Sequence, residues 1–180
     1  ALCAFVNRLG LEASSGYGVA CKVVNFLMLI PSALMQSMAS FVSQNIGAKN
    51  PGRAKKAVFT GMAIGVLFGI VVFIAVLFKG DALVSIFTSD SAVIEKGFAY
   101  LKGFAPETIA TAILFSLVGY FDGCGKTFWV MIQGLAQTLL VRLPVSYIMS
   151  IQPNASLTYI GYAAPLATVF GILLNLVYFM

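Results

Sequence analysis

The chain has 180 residues, of which 60% are hydrophobic and only 9% are charged; its mean hydropathy is +0.97. Soluble domains are typically about half apolar and roughly a quarter charged, so a water-soluble fold of this length could not cover so much apolar surface. The composition points to an integral membrane protein. The net charge of +5 would suit nucleic acid, but aromatics do not interleave with the cations, which gather at loops; they read as topology determinants. The chain contains no histidine, which excludes histidine-based catalysis and histidine metal sites here. Cys3, Cys21 and Cys124 match no metal-site spacing and read as small membrane-embedded residues.

Ala1–Val6 is apolar but too short for a span, and it lacks the cationic start of a signal peptide. It is expected to be the tail of a membrane helix, with the sequence a fragment of a longer protein. Gly10 to Gly16 is expected to break that helix, with Ser14 or Ser15 capping the next. The first full span is predicted over Tyr17–Gln44. It contains Lys22, placed to snorkel to the interface, and Pro31, which removes a backbone hydrogen bond and should kink the helix. Asn25, Ser32 and Gln36 fall on one helical face, either as packing contacts to a neighbouring helix or as the lining of a water-filled cavity.

The second span is predicted over Ala57–Phe78, which has no charge and carries Gly61, Gly65 and Gly69 on one face, a small-residue pattern for close helix contact. Asp81 to Lys96 reads as an interfacial connector with a capping signal at Thr88-Ser89-Asp90-Ser91. The third span, Phe98–Phe121, contains Lys102, Pro106 and Glu107, an acid beside a helix-breaking proline inside a membrane segment. Gly125-Lys126-Thr127 looks like the end of a phosphate-binding loop, but Tyr120 stands where that motif needs glycine and no strand precedes it; it reads as a tight turn. The fourth span, Phe128–Met149, has Trp129 and Tyr147 as interfacial aromatics and Arg142 and Pro144 in its later part. Asn154-Ala155-Ser156 is a sequon by spelling alone, and Tyr159–Phe179, with Pro165, is the fifth span. The predicted fold is therefore all-α: a polytopic membrane helix bundle of about five complete spans plus the tail of a sixth.

Alternation of these spans puts Lys49, Arg53, Lys55, Lys56 and Lys126 on one side and Arg8, Lys79 and Lys96 on the other. The dense cluster at Lys49–Lys56 makes that loop cytoplasmic by the positive-inside rule.

The stretch Phe41-Val42-Ser43-Gln44-Asn45-Ile46-Gly47-Ala48-Lys49, followed by Arg53-Ala54-Lys55-Lys56, resembles the multidrug and toxic compound extrusion (MATE) family, and in particular the second of its two homologous lobes. Asn7-x-x-Gly10, Tyr120-Phe121-Asp122-Gly123-Cys124-Gly125-Lys126-Thr127 and Val141-Arg142-Leu143-Pro144-Val145-Ser146-Tyr147 extend the resemblance over the whole chain in one order. The bacterial branch of DinF type is the most similar.

The resemblance implies a twelve-helix protein of two lobes, with this chain supplying the tail of the seventh helix and the eighth to twelfth. It implies export of cationic or amphipathic compounds in exchange for H⁺ or Na⁺, by rocking of the lobes about a central cavity. The coupling ion would act on an intramembrane carboxylate, and no other cofactor is implied. The partners implied are the lipid bilayer, a small-molecule substrate and the N-terminal lobe, in the cell membrane. Some members use an acid in the tenth helix. Glu107 lies early in the matching segment and is the ion-site candidate; the alternatives are an acid paired with Lys102 or Arg142, or one at the outer interface. Asn25, Gln36 and Arg142 complete the candidate pathway residues, with Arg142 read as a structural partner of carbonyls or of an acid, or as a cavity cation. A related lipid-linked oligosaccharide flippase is the alternative within transport, although its anionic substrate calls for several cavity cations. A membrane enzyme would need a clustered acid–base or nucleophile set.

Overall fold

The computed structural model describes residues 2–7, 10–152 and 156–179, all of the regular structure among them helical. The helices are α1 (Leu2–Asn7), α2 (Leu11–Leu27), α3 (Leu29–Gly47), α4 (Pro51–Ser85), α5 (Ser91–Phe104), α6 (Glu107–Gly123), α7 (Thr127–Ala136), α8 (Leu143–Ser150), α9 (Leu157–Gly161) and α10 (Ala163–Phe179); a π-helical stretch, Gln137–Arg142, joins α7 to α8. Leu11–Gly47, Pro51–Ser85, Thr127–Ser150 and Leu157–Phe179 are each long and apolar enough to cross a membrane, and α5 with α6, bent by 50°, makes a fifth candidate span. The protein is a polytopic helical bundle. Arg8, Asn154 and Ala155 lie outside the described residues.

Three prolines explain three of the breaks within spans. Proline lacks an N–H and its ring crowds the carbonyl four residues earlier. Leu27, four residues before Pro31, is the last residue of α2; Gly161, four before Pro165, is the last of α9. Leu140, four before Pro144, lies inside the π-helical stretch, where the turn has widened around the missing bond. The kink expected at Pro31 is thus one turn earlier than the proline itself. Pro106 acts at the α5–α6 bend, where Thr108 N–H bonds Ala105 O and Ile109 N–H bonds Pro106 O, both at the tighter i→i−3 spacing.

Several boundaries differ from the sequence reading. The break expected from Gly10 to Gly16 narrows to Gly10, whose φ of 102° is left-handed; Glu12 to Gly16 are already helical. Ser14 does not cap α2. Its Oγ donates to Asn7 Oδ1 at 2.6 Å, tying α2 back to α1. The second span does not end at Lys79; the backbone kinks there (φ −135°, ψ 22°) and runs on to Ser85. The connector shrinks to the turn before Ser91, where Asp90 Oδ1 accepts from the N–H groups of Ala92 and Val93. Trp129, near the start of its span, is half-buried and stacked on Tyr178 with centroids 4.2 Å apart.

The two basic turns close alike. Asn50 N–H bonds Asn45 O at 2.8 Å, and Lys126 N–H bonds Phe121 O at 2.8 Å, each a six-to-one bond around a left-handed residue, the Schellman ending. The left-handed residue is Gly125 in one turn and Lys49 (φ 56°) in the other.

Helix α6 is the hub, packed against α3, α4 and α10. The glycine ladder of α4 lets it approach: a Cβ on Gly69 would lie 2.6 Å from Thr108 O, and one on Gly65 3.1 Å from Ala112 Cβ. Gly61 instead faces Met38 of α3. The opposite face of α4 exposes Phe59, Leu67, Val71 and Phe78, an apolar stripe suited to lipid.

Candidate functional site

The α5–α6 bend is clamped from two sides. Thr108 Oγ1 donates to Gly69 O of α4 at 3.1 Å and to Ala105 O at 2.8 Å. Thr158 Oγ1 donates to Ala99 O at 2.8 Å, where α5 and α9 meet backbone to backbone at Gly103 and Gly161. The bend places Glu107 at the first position of α6, buried to 8% exposure. Its Oε1 accepts a 2.8 Å hydrogen bond from Thr168 Oγ1 of α10. Its Oε2 has no hydrogen-bond partner, and neither has Thr111 Oγ1, one helical turn further along the same face. A buried carboxylate is tolerated only when it is protonated, paired or bound to a cation.

Arg142 ends the π-helical stretch, half-buried, beside the Tyr100 hydroxyl and within electrostatic reach of Glu107. Glu107 and Arg142, separate in the sequence, therefore share one interior. Lys102 does not join them: it is exposed, its Nζ 4.1 Å from the Phe98 ring centroid. Pairing of Glu107 with Lys102 is thereby corrected, because successive turns of α5 send that side chain outward.

The interior extends along α10, whose Thr168, Gly171 and Asn175 share one face at spacings of three and four. Gly171 leaves room for Gln133 and Gln137, which bond each other at 2.7 Å. Trp129 Nε1 donates to Asn175 Oδ1 at 2.9 Å, while Asn175 Nδ2 is buried without a partner. Sequence reasoning missed this row. Its signal was two uncharged polar sets at helical spacing, Gln133 with Gln137 and Thr168 with Asn175, in spans read for charges, aromatics and prolines.

Asn25 and Gln36 lie elsewhere. Both are exposed, with Ser32 half-buried between them. Gln36 joins Ser37, Ser40 and Gln44 along a shallow groove of α3, a polar strip on the outside of this bundle. The candidates thus divide between a buried carboxylate interior and an open polar face.

Comparison with known proteins bears on the whole arrangement. A family model described as MatE matches residues 1–148. The multidrug export protein MepA of Staphylococcus aureus (strain N315) is 32% identical over 149 residues, which is 81% of this chain and 32% of that protein. MepA of strain MRSA252 is 31% identical over the same length. An FAD transporter of Shewanella oneidensis is 28% identical over 92 residues, covering 51% of this chain and 20% of that protein. The chain spans about a third of the length of the MepA relatives it matches. With most of the chain matched by the family model and by these relatives, the chain belongs to the multidrug and toxic compound extrusion family.

Proposed function

We propose that the chain is the C-terminal lobe of a secondary active transporter that exports drugs or other amphipathic, cationic compounds in exchange for H⁺ or Na⁺ by alternating access. The observation that carries the ion-coupled part is Glu107, a carboxylate held at a helix bend by Thr168 with its second oxygen unpartnered. A proton on Oε2, or a Na⁺ between Oε2 and Thr111 Oγ1, would neutralise it, and the cost of burying the bare carboxylate would then bias the lobe between conformations. The exported class follows from the relatives named multidrug export proteins. The open strip of Gln36, Ser37, Ser40 and Gln44 is the face proposed to line a cavity shared with a second lobe, with Asn25 further along the same span.

The test is efflux of a fluorescent cationic dye by the intact protein in proteoliposomes under imposed H⁺ or Na⁺ gradients. Gradient-driven efflux in the wild type and its loss in Glu107→Gln supports the reading; undiminished, gradient-dependent efflux by E107Q removes Glu107 from it.

A further inference from the structure

Between α3 and α4, at the basic end of the bundle, lies a groove of about 470 Å³ that borders the polar strip of α3 and shares Ser37 and Phe41 with it. Arg53 and Lys56 stand at its mouth, and Leu34, Phe41, Thr60 and Ile64 are among its walls. The Arg53 guanidinium carbon sits 5.6 Å from the Phe41 ring centroid, so the exposed charge leans over the apolar wall. Among the described residues, no acid lines the groove. Residues 53, 56, 60 and 64 follow one face of α4, and at 1.5 Å per residue that face runs roughly 16 Å, about half the thickness of a bilayer's hydrocarbon core. At the far end Ile64 is exposed, and the exposure continues through Leu67 and Val71 along the outward stripe of α4. The groove is charged at one end and opens sideways at the other, onto the apolar stripe of α4.

We propose that this groove binds one anionic diacyl phospholipid, its phosphate on Arg53 and Lys56 and one acyl chain laid between α3 and α4 as far as Ile64. Charge complementarity selects the occupant. A cationic substrate would meet two cations and no acid, a zwitterionic headgroup would find nothing for its ammonium, and a bare phosphate would leave the apolar walls uncovered. Basic pockets between membrane helices recognise anionic lipid headgroups by this combination, each cation adding an increment of binding.

The experiment is native mass spectrometry of the intact protein in detergent, titrated with phosphatidylglycerol or with phosphatidylcholine of the same chains. The wild type is expected to retain one phosphatidylglycerol in preference to phosphatidylcholine. Arg53→Gln with Lys56→Gln should weaken that retention roughly thirty-fold, the product of two surface cations. Lys49→Gln with Lys55→Gln, which removes two charges from the same segment but none from the groove, should weaken it far less. Thr60→Trp, which fills the groove and keeps both cations, should also release the lipid. Equal retention of the two lipids by the wild type, or equal loss in both charge-pair variants, overturns the proposal. So does a T60W protein that still holds phosphatidylglycerol while losing dye binding, since the groove would then belong to the substrate.

Discussion

Thr168 Oγ1 donates a 2.8 Å hydrogen bond to Glu107 Oε1 across 61 residues of sequence. It joins the last span to the bend of the third, and it leaves Glu107 with one satisfied oxygen and one open one. Removing the donor leaves a buried acceptor unpaired, which costs about 1–3 kcal/mol, more if the group is charged. Thr168→Val is therefore expected to destabilise the protein by that amount in thermal unfolding and to weaken ion-driven efflux, while Thr168→Ser keeps both.

Glu107→Gln keeps the shape of the side chain and an acceptor for Thr168 but carries no titratable charge. The expected result is a melting temperature within a few degrees of wild type, because no cavity forms and no bare carboxylate must be buried. Gradient-driven efflux should fall by an order of magnitude or more, while dye binding, measured by fluorescence polarisation, stays near wild type. Loss of folding in E107Q would show that the carboxylate is structural.

The bend itself is testable at Pro106. Pro106→Ala restores a donor toward Lys102 O and removes the ring crowding that turn. The 50° angle between α5 and α6 should then open toward a straight helix, drawing Glu107 away from Thr168. Spin labels at Ala92 and Cys124 would report a longer separation, and efflux should drop without loss of expression.

Glycines divide by what surrounds them. A Cβ on Gly69 would approach Thr108 O to 2.6 Å and Ile109 Cα to 3.0 Å, all backbone, so Gly69→Ala should cost about 1–3 kcal/mol as an overpacking substitution. Gly18 and Gly134, in α2 and α7, have nothing within 4 Å. Alanine there should be neutral or stabilise by roughly 0.5–1 kcal/mol through helix propensity. Unfolding midpoints of the three variants decide the matter.

Lys49 occupies the left-handed position that Gly125 fills in the equivalent turn. Lys49→Gly should raise stability by roughly 1 kcal/mol by removing that strain, whereas Lys49→Gln, which alters charge alone, should not.

The membrane class, the number of spans and the main turns were legible because each depends on local chemistry: apolar run length, prolines, glycines and clustered cations. Even the family resemblance sat in such local stretches, and the Asn45 and Gly125 turns it included are helix endings. Boundaries drifted where a locally polar stretch found tertiary support. Glu12 to Gly16 are helical because Ser14 bonds Asn7 and Gly16 packs against Lys96 and Gly97 of α5, and α4 runs through Lys79 because Gly80 packs against Phe98.

Glu107 stood out by itself, as a charge beside a proline in an apolar span. Its surroundings did not. Thr168 lies 61 residues away, and the Gln133–Gln137 and Trp129–Asn175 pairs carry no charge to mark them. The sequence alone determined that this chain crosses a membrane repeatedly and where it turns, since the cost of exposing apolar runs and unpaired backbone to the wrong solvent acts residue by residue. Only the tertiary structure decided that Lys102 points away, that Arg142 comes close, and that Gln36 faces outward while Glu107 faces in. Those outcomes depend on which faces of distant helices meet, and backbone approaches at Gly65, Gly69, Gly103 and Gly161 set that geometry.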